Sequence, residues 1–190
     1  MARIGLSDIY YAVITENEST GEESFGTPIK LAEAMTAEVS TNSAEASLYA
    51  DDALSEYVSE FSSGEITLGI TEISSTDAVN LFGYNIDDNG VLISAGEDSS
   101  NYVAIGFKSK NSNGSYDYVW IYKVKFNIPT DSFETKGDGI TFQTPEIEGT
   151  FTTLTKEDAF GNHSWRAYAS NPDSTIADAW FDSVYEATVV

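Results

Sequence analysis

Alternating apolar and polar residues over positions 48–84 give the clearest prediction of local structure in this chain. In the run 65–72, every second residue on one face of an extended strand is apolar: Ile66, Leu68 and Ile70. The preceding run 54–61 alternates in the same way, and the Ser-Ser-Gly segment 62–64 between the two runs is typical of a turn. The pattern therefore predicts two strands joined by a turn at 62–64.

A short helix is predicted directly after the second strand. Ser74 or Ser75 can accept hydrogen bonds as an N-cap, and Gly83 can end the helix in a left-handed conformation. Three apolar side chains between these caps would face a sheet: Val79, Leu81 and Phe82. The order strand, turn, strand, helix indicates a sheet with one flanking helix.

The N-terminal region predicts two further strands separated by a polar segment. Residues 8–15 alternate with apolar side chains on both faces, as in a central strand. Residues 16–28 form either a surface loop or an arm that places Phe25 on a neighbouring copy. Residues 29–40 are apolar mostly at every second position, which favours a strand, although their Ala and Glu content also allows a helix.

A hairpin is predicted from the runs 102–110 and 116–128, which an Asn-, Ser- and Gly-rich turn separates. The second run carries an uninterrupted stripe at alternate positions: Tyr116, Tyr118, Trp120, Tyr122, Val124 and Phe126. Such a stripe predicts a buried core or a subunit interface, and the alternative is a carbohydrate-binding platform on Tyr118, Trp120 and Tyr122.

Weaker patterns complete the prediction. Asn89-Gly90 is typical of a hairpin turn, and the neighbouring Asp and Asn residues also allow a calcium site, although they lack the spacing of an EF-hand loop. Residues 140–155 are strand-rich with a break at Pro145, 163–168 fit a short strand, and 175–186 fit a helix that packs on the domain or on a neighbour.

Together these elements predict one mainly β domain over residues 1–190. The architecture expected is a β-sandwich or barrel with one flanking helix and a short C-terminal helix.

The negative charge of the chain restricts the classes of function that it can have. The chain has 31 acidic residues against nine Lys and Arg, and between Lys30 and Lys108 it has 14 acidic residues and no basic one. Such a surface at least keeps a protein soluble, and it also repels nucleic-acid phosphates within about 10 Å at ~0.1 M salt. Direct DNA binding is therefore disfavoured.

Four of the nine basic residues lie on the predicted hairpin of residues 102–128: Lys108, Lys110, Lys123 and Lys125. An acidic chain that collects its cations on one element can complement a second copy of itself.

The sequence offers little for catalysis. It has no cysteine, and its one histidine, His163, is next to Ser164, so that in a strand their side chains would point to opposite faces. Adjacent acids such as Asp51 and Asp52 arise readily among so many carboxylates. We therefore expect no enzyme and no cofactor. No apolar run approaches the ~18 residues of a membrane helix, so neither membrane insertion nor a secretion signal is expected.

Segments spread over nearly the whole chain carry a family resemblance. They are LYADD at 48–52, FSSGEITLG at 61–69, LFG at 81–83, YVAIGF at 102–107, Gly114, Trp120, YKV at 122–124, Pro129, TK at 135–136, IEG at 147–149 and AWF at 179–181. In this order they resemble the major tail protein, the tail-tube subunit, of long non-contractile-tailed bacteriophages. Within residues 1–190 we expect no counterpart of the immunoglobulin-like C-terminal domain that some members carry.

The resemblance implies a structural virion protein of the phage tail. It implies a tail-tube β-sandwich of which six copies form a ring, with rings stacking into a conduit through which DNA passes without specific binding. It further implies assembly in the host cytoplasm, with tape-measure, tail-tip and tail-terminator proteins as partners. The alternative from another class is a monomeric carbohydrate-binding or adhesion β-sandwich module.

The resemblance also directs attention to particular residues. Candidates for acids lining the lumen of a tube are Glu38, Glu56, Glu60 and Glu65. Candidates for contacts between copies are Phe25, Lys108, Lys110, Lys123, Lys125, Trp180 and Phe181. The segment 16–28 and the last helix are expected to help rings stack.

Overall fold

The computed structural model describes residues 2–17, 19–50, 52–130 and 144–188, and it is mainly β. Its strands are β1 (Arg3–Glu16), β2 (Glu23–Phe25), β3 (Ile29–Lys30), β4 (Ala34–Ala50), β5 (Ala53–Ile70), β6 (Asn85–Ile86), β7 (Leu92–Ile93), β8 (Tyr102–Asn111), β9 (Tyr116–Phe126), β10 (Glu146–Phe151) and β11 (Arg166–Ser170). Its helices are α1 (Ser75–Phe82) and α2 (Ser174–Ala179).

One antiparallel sheet of nine strands dominates the described residues. Seven strands follow the order β2-β1-β8-β9-β10-β5-β4, while β3 pairs with β1 and β11 pairs with β9. The sheet curls, because β1 also contacts β4 although five strand pairings separate them in this order. This curl makes the fold sandwich-like, as the sequence predicts.

The main core fills the space inside the curled sheet. Strands from both ends of the sheet contribute fully buried side chains, including Ile9 and Tyr11 of β1 and Ile66, Leu68 and Ile70 of β5. Helix α1 adds Leu81 and Phe82 to the same cluster. Burying each of these side chains stabilises the fold by about 1.5–3 kcal/mol relative to leaving it exposed.

Helix α1 confirms the predicted caps. Ser74 Oγ accepts a hydrogen bond from the Asp77 backbone N–H, and the Asp77 carboxylate accepts one from the Ser74 backbone N–H. The helix ends at Gly83, whose φ of 73° is in the left-handed region. Asp77 also accepts a hydrogen bond of 2.8 Å from the buried Tyr11 hydroxyl, which ties the helix to β1.

A smaller second core lies on the opposite face of the sheet. The chain after α2 covers Trp120 and Tyr122 of β9 there, and the Trp120 indole N–H donates to the Trp180 carbonyl at 3.0 Å. Trp180 and Val184 are buried against these residues. The C-terminal segment is therefore part of the domain's own packing.

The turn predicted at 62–64 is wrong, because β5 runs through these positions as one long strand. Ser62 instead forms a β-bulge: Ser63 pairs with Asn42 and Phe61 pairs with Ser43. Gly64 is required for packing, since a Cβ built on it would lie only 2.1 Å from Cζ of Phe151. The small residues of this segment form a bulge and a close side-chain contact. From the sequence alone, such a segment cannot be distinguished from a turn.

The hairpin of β8 and β9 is confirmed, but the stripe on β9 is interrupted. Tyr122 and Lys123 both lie opposite Ala104, and Lys123 adopts a φ of 47°, so that a β-bulge reverses the alternation at this point. As a result Trp120 and Tyr122 enter the second core, whereas Val124 and Phe126 enter the main core.

The structure changes the predicted bounds of the N-terminal strands. The first strand is longer than expected, and the polar segment 16–28 contains β2, which folds back on the end of β1. The strand prediction for 29–40 is confirmed, although β3 and β4 divide it.

Of the weaker patterns, the Asn89-Gly90 turn is confirmed between β6 and β7, with Gly90 at a φ of 81°. The strand predicted at 163–168 lies slightly later as β11, and the helix predicted over 175–186 ends at Ala179. Within 140–155 the structure contains β10, and residues 140–143 are outside the described part.

Replacing Gly64 with Ala tests the packing between β5 and Phe151. We expect the variant to lose about 1–3 kcal/mol of unfolding free energy, because the added methyl group overlaps the Phe151 ring. Urea denaturation measures this difference. Gly96→Ala is the matched control, since nothing lies within 4 Å of a Cβ at that position. An equal effect of both substitutions would contradict the role of Gly64.

Candidate functional site: an exposed hairpin arm

The hairpin of β4 and β5 extends beyond the rest of the sheet. Strand β10 pairs with β5 only from Gly64 to Gly69, and beyond Gly64 the two strands pair only with each other. We call residues 42–50 and 52–62 the arm. The eight residues from Ser43 to Ala50 span about 26 Å at ~3.3 Å per residue. The described residues of the arm are exposed, with Phe61 at its base half-buried.

Strand register divides the hairpin into two faces. The core-side face continues the face that carries Ile66 and Leu68 into the main core, and along the arm it presents Ser43, Glu45, Ser47, Tyr49, Leu54, Tyr57, Ser59 and Phe61. The opposite face, which we call the acidic face, presents Glu38, Ser40, Asn42, Ala44, Ala46, Leu48, Glu56, Val58, Glu60, Ser63, Glu65 and Thr67.

All four predicted lumen acids lie on the acidic face. Glu38 is opposite Thr67, Glu65 is opposite Ser40, and Glu60 and Glu56 are opposite Ala44 and Leu48. In a regular strand Glu60 and Glu65 would point to opposite faces, because they are five residues apart. The bulge at Ser62 restores them to one face.

Two further acids join this face from β10. Glu148 pairs with Thr67, which in turn pairs with Glu38, and Glu146 pairs with Gly69. Both carboxylates are exposed. Their alternation with Ile147 predicts an exposed strand face, but only the pairing of β10 with β5 shows which other acids share it. Sequence reasoning therefore missed them.

The charges of the acidic face are uncompensated within the described residues. None of its six glutamates takes part in any ion pair found there: Glu38, Glu56, Glu60, Glu65, Glu146 and Glu148. The arm also exposes large apolar side chains, with exposed fractions of 69% for Tyr49, 55% for Leu54 and 53% for Tyr57. A two-stranded ribbon is marginally stable in water, so an arm of this composition favours a partner surface.

Two of the four lysines on the central hairpin are paired within the chain. Lys108 bridges to Asp8 at 2.5 Å, and this contact raises the pKa of Lys108 and lowers that of Asp8. Lys123 forms an ion pair with Glu23. Lys110 is exposed, while Lys125 contacts the Ser99 hydroxyl at 3.2 Å. A role for these lysines between copies stays a prediction, and Lys110 and Lys125 are the two that remain accessible for it.

Glu23 is a buried acceptor that joins β2 to the chain beyond β10. Its carboxylate accepts hydrogen bonds from the backbone N–H groups of Thr155 at 2.7 Å and Lys156 at 3.2 Å. Burial alone would raise the pKa of Glu23, but the Lys123 ammonium and these two donors together hold it below its usual value.

The aromatic candidates for contacts between copies pack inside their own chain. Phe25 lies 5.7 Å from the Tyr122 ring, and Phe181 stacks on Tyr10 at 4.6 Å. Trp180 is only 2% exposed. In this conformation Trp180 has almost no surface to offer a neighbour, because the second core requires it.

The carbohydrate platform predicted on β9 is not exposed. Trp120 is fully buried and Tyr122 is 4% exposed, because the C-terminal segment covers both. Burial also raises the pKa of the Tyr122 hydroxyl, which donates a hydrogen bond to the Tyr185 carbonyl. Tyr118 is half-buried beside Trp180.

Other sites considered from the sequence have simple structural roles. Asp87 accepts hydrogen bonds from the backbone N–H groups of Asn89 and Val91, which organises the Asn-Gly turn. In the described ranges no three His, Asp or Glu side chains form a group that could hold a metal. His163 is exposed. Among the helices of the described chain, none is long and apolar enough to cross a membrane.

Comparisons with known proteins add no family assignment. No protein-family model matches the chain, and no curated protein matches it significantly.

Replacing Glu23 with Gln tests the buried ion pair through its pH dependence. A folded-state pKa below the unfolded value stabilises the protein above about pH 4.3, and this stabilisation is lost as pH falls through the folded pKa. We expect Glu23→Gln to lose about 2 kcal/mol of unfolding free energy at pH 7 and much less at pH 3. The exposed neighbour Glu22→Gln is the control, and urea denaturation at both pH values is the measurement. A loss that is the same at pH 7 and pH 3 would contradict the assignment.

Proposed function

We propose that this protein is a structural subunit that assembles with copies of itself into stacked rings, forming the tail tube of a bacteriophage. The observation that carries the proposal is the arm: a long hairpin with acidic residues, no basic residues and exposed apolar side chains, projecting from a packed domain. Its mechanism is structural and involves no chemical step.

The arm supports self-assembly on energetic grounds. In a single copy the exposed tyrosines and leucines of the arm remain in contact with water. Beyond Gly64 the two strands pair only with each other, so the outer edge of each strand has no partner strand. Packing arms side by side in a ring would pair these edges and bury these side chains. Both changes favour association, because free strand edges and exposed apolar side chains are liabilities in a monomer.

The outer edge of β4 supports ring formation in particular. Among the described strands, β4 pairs only with β5, so its other edge is free over the full length of Ala34–Ala50. Joining this edge to a neighbour would continue the sheet from copy to copy. Ring closure then requires each copy to offer a second, different surface, as in a heterologous interface.

The acidic face supports the role of a DNA conduit. Six glutamates on one side of a sheet with no ion-pair partners in the described residues create a field that repels phosphates. A bore lined by such a face would make no phosphate contacts that a passing DNA would need to break. Tape-measure, tail-tip and tail-terminator proteins are the partners such a tube requires, and assembly would take place in the host cytoplasm before incorporation into the virion.

The alternative of a carbohydrate-binding module has less support. It requires the aromatic side chains of β9 on the surface, whereas Trp120 and Tyr122 lie beneath the C-terminal segment. The arm would also have no role in a monomeric module.

Negative-stain electron microscopy of the purified protein over a concentration series tests the assembly. We expect rings or hollow tubes, with light scattering that rises with concentration. The matched variant lacks residues 45–59 and joins Ala44 to Glu60 through Asn-Gly, a two-residue hairpin turn at a natural pairing position. It should fold, as judged by its thermal transition, and stay monomeric. A parent protein that stays monomeric even with a tail-tip complex as initiator would refute the proposal.

Reversing charge on the acidic face tests the conduit. The variant Glu38→Lys, Glu56→Lys, Glu60→Lys and Glu65→Lys should assemble yet retain duplex DNA in the tube, with an affinity that falls steeply with salt. The control replaces four exposed acids outside this face by Lys, namely Glu72, Asp88, Glu97 and Glu157, which gives the same net charge. Equal DNA binding by the two variants, measured by co-sedimentation, would show that the acidic face does not line the bore.

A further inference from the structure

A cluster of arginine and aromatic side chains lies close to the base of the arm. The Arg166 guanidinium lies 4.6 Å from the ring centre of Trp165 and 5.6 Å from that of Tyr168, and the Arg3 guanidinium lies 5.9 Å from the ring centre of Tyr168. We call these four residues the platform. Each cation–aromatic contact of this kind stabilises by about 0.5–1 kcal/mol at an exposed site and holds the guanidinium in place.

Arg166 differs from most cations of this protein. Arg3, Lys30, Lys108, Lys123 and Lys156 each form an ion pair with a carboxylate of the chain. Arg166 is exposed and takes part in none of the ion pairs of the described residues, although the chain has 31 acids to nine basic residues. An arginine fixed on two aromatic rings without a carboxylate is suited to bind an acid from outside.

The platform belongs to the same side of the sheet as the core-side face of the arm. Arg166 and Tyr168 pair with Ile121 and Val119, two side chains of the main core. Trp165 stacks on Phe61 at the base of the arm, with ring centres 5.0 Å apart. From that point the arm leads away: Glu45 lies about 7 Å further out than Ser43, the partner of Phe61, and Tyr57 lies about 13 Å further out than Phe61, at ~3.3 Å per residue. Glu45 takes part in none of the ion pairs of the described residues, and the outer part of the arm extends away from the platform of its own chain.

The core-side face of the arm is chemically complementary to the platform. It carries one acid in its described residues, Glu45, between exposed aromatic and small polar side chains. Tyr57 lies two residues before Ser59, the partner of Glu45, on this face, and it is 53% exposed. A carboxylate beside an exposed aromatic side chain matches an arginine beside aromatic rings, because both surfaces combine a charge of opposite sign with apolar rings.

We propose that the platform of one copy binds the core-side face of the arm of a second copy, with Glu45 of the arm pairing with Arg166 of the platform. This inference rests on the proposed self-assembly and names the surface that receives the arm. It supplies the second, different surface that ring closure requires, since the arm and the platform are distinct parts of one chain. Tyr57 then packs on the aromatic side chains of the platform.

Charge reversal tests the pairing of Glu45 with Arg166. We expect Arg166→Glu and Glu45→Arg each to weaken self-association about tenfold, measured by sedimentation velocity, because like charges then meet. The double variant should recover to within about threefold of the parent, since the pair is restored with its charges exchanged. Lys30→Glu, which reverses an exposed cation on β3 outside the platform, should leave association unchanged. Urea denaturation of each variant shows whether it is folded.

Cysteine crosslinking between copies separates this contact from one within a chain. The protein has no cysteine, so a thiol-reactive crosslinker can join only cysteines that are introduced. One preparation carries Ser59→Cys on the arm, and the other carries Ser170→Cys, on the same strand face as Tyr168. Ser170 is about 13 Å from Arg166 along β11 at ~3.3 Å per residue, so a flexible bismaleimide that covers this distance, rather than a disulfide, should give a crosslinked heterodimer. Replacing the second preparation by Asn89→Cys, in the exposed turn between β6 and β7, should not.

The outcomes distinguish this inference from the proposed function. Heterodimer formation together with rescue by the double variant supports the arm-to-platform contact. Rings or tubes that form without crosslinking between positions 59 and 170, or without rescue, overturn the contact and leave the tube proposal standing. Absence of any self-association in the parent protein, even with a tail-tip complex as initiator, overturns both.

Discussion

The contact between the Phe151 ring and Gly64 determines where this protein changes from a packed domain to a projecting hairpin. The ring occupies the space that any larger residue at position 64 would fill, and it lies at the last point where β10 pairs with β5. Beyond it, β5 keeps only β4 as a neighbour, and its side chains lose the core. The exposed arm therefore begins at this close side-chain contact, where the shared sheet ends.

Two β-bulges determine which residues share a face. At Ser62 the bulge brings Glu56 and Glu60 to the side that Glu65 occupies, and so it concentrates carboxylates on the acidic face. At Lys123 a bulge sends Trp120 and Tyr122 to one core and Val124 and Phe126 to the other. Because one extra residue reverses the alternation of all that follow, these local irregularities decide charge distribution and packing on the scale of the whole sheet.

The cations of this acidic chain have separate roles. Lys108 and Lys123 compensate carboxylates close to or within the body of the sheet, where an unpaired charge would be costly. Arg166 is instead fixed on aromatic rings at the surface, and the six glutamates of the acidic face are left without ion pairs in the described residues. This division compensates charges inside the chain and leaves opposite charges on different surfaces, as the proposed head-to-tail association would require.

The sequence by itself determined the mainly β class, helix α1 with its caps, and the hairpin of β8 and β9, because caps, turns and alternation act over a few neighbouring residues. The four glutamates predicted from the resemblance to line a lumen all lie on the acidic face, and whether they line one stays a prediction. Tertiary structure alone decided that 62–64 is a bulge, that Glu146 and Glu148 join the acidic face, and that the C-terminal segment buries Trp120. Each of these depends on a partner distant in the chain. Alternation shows that a strand has two faces, and only the packed neighbours of that strand decide which face meets the core and which meets solvent or another copy.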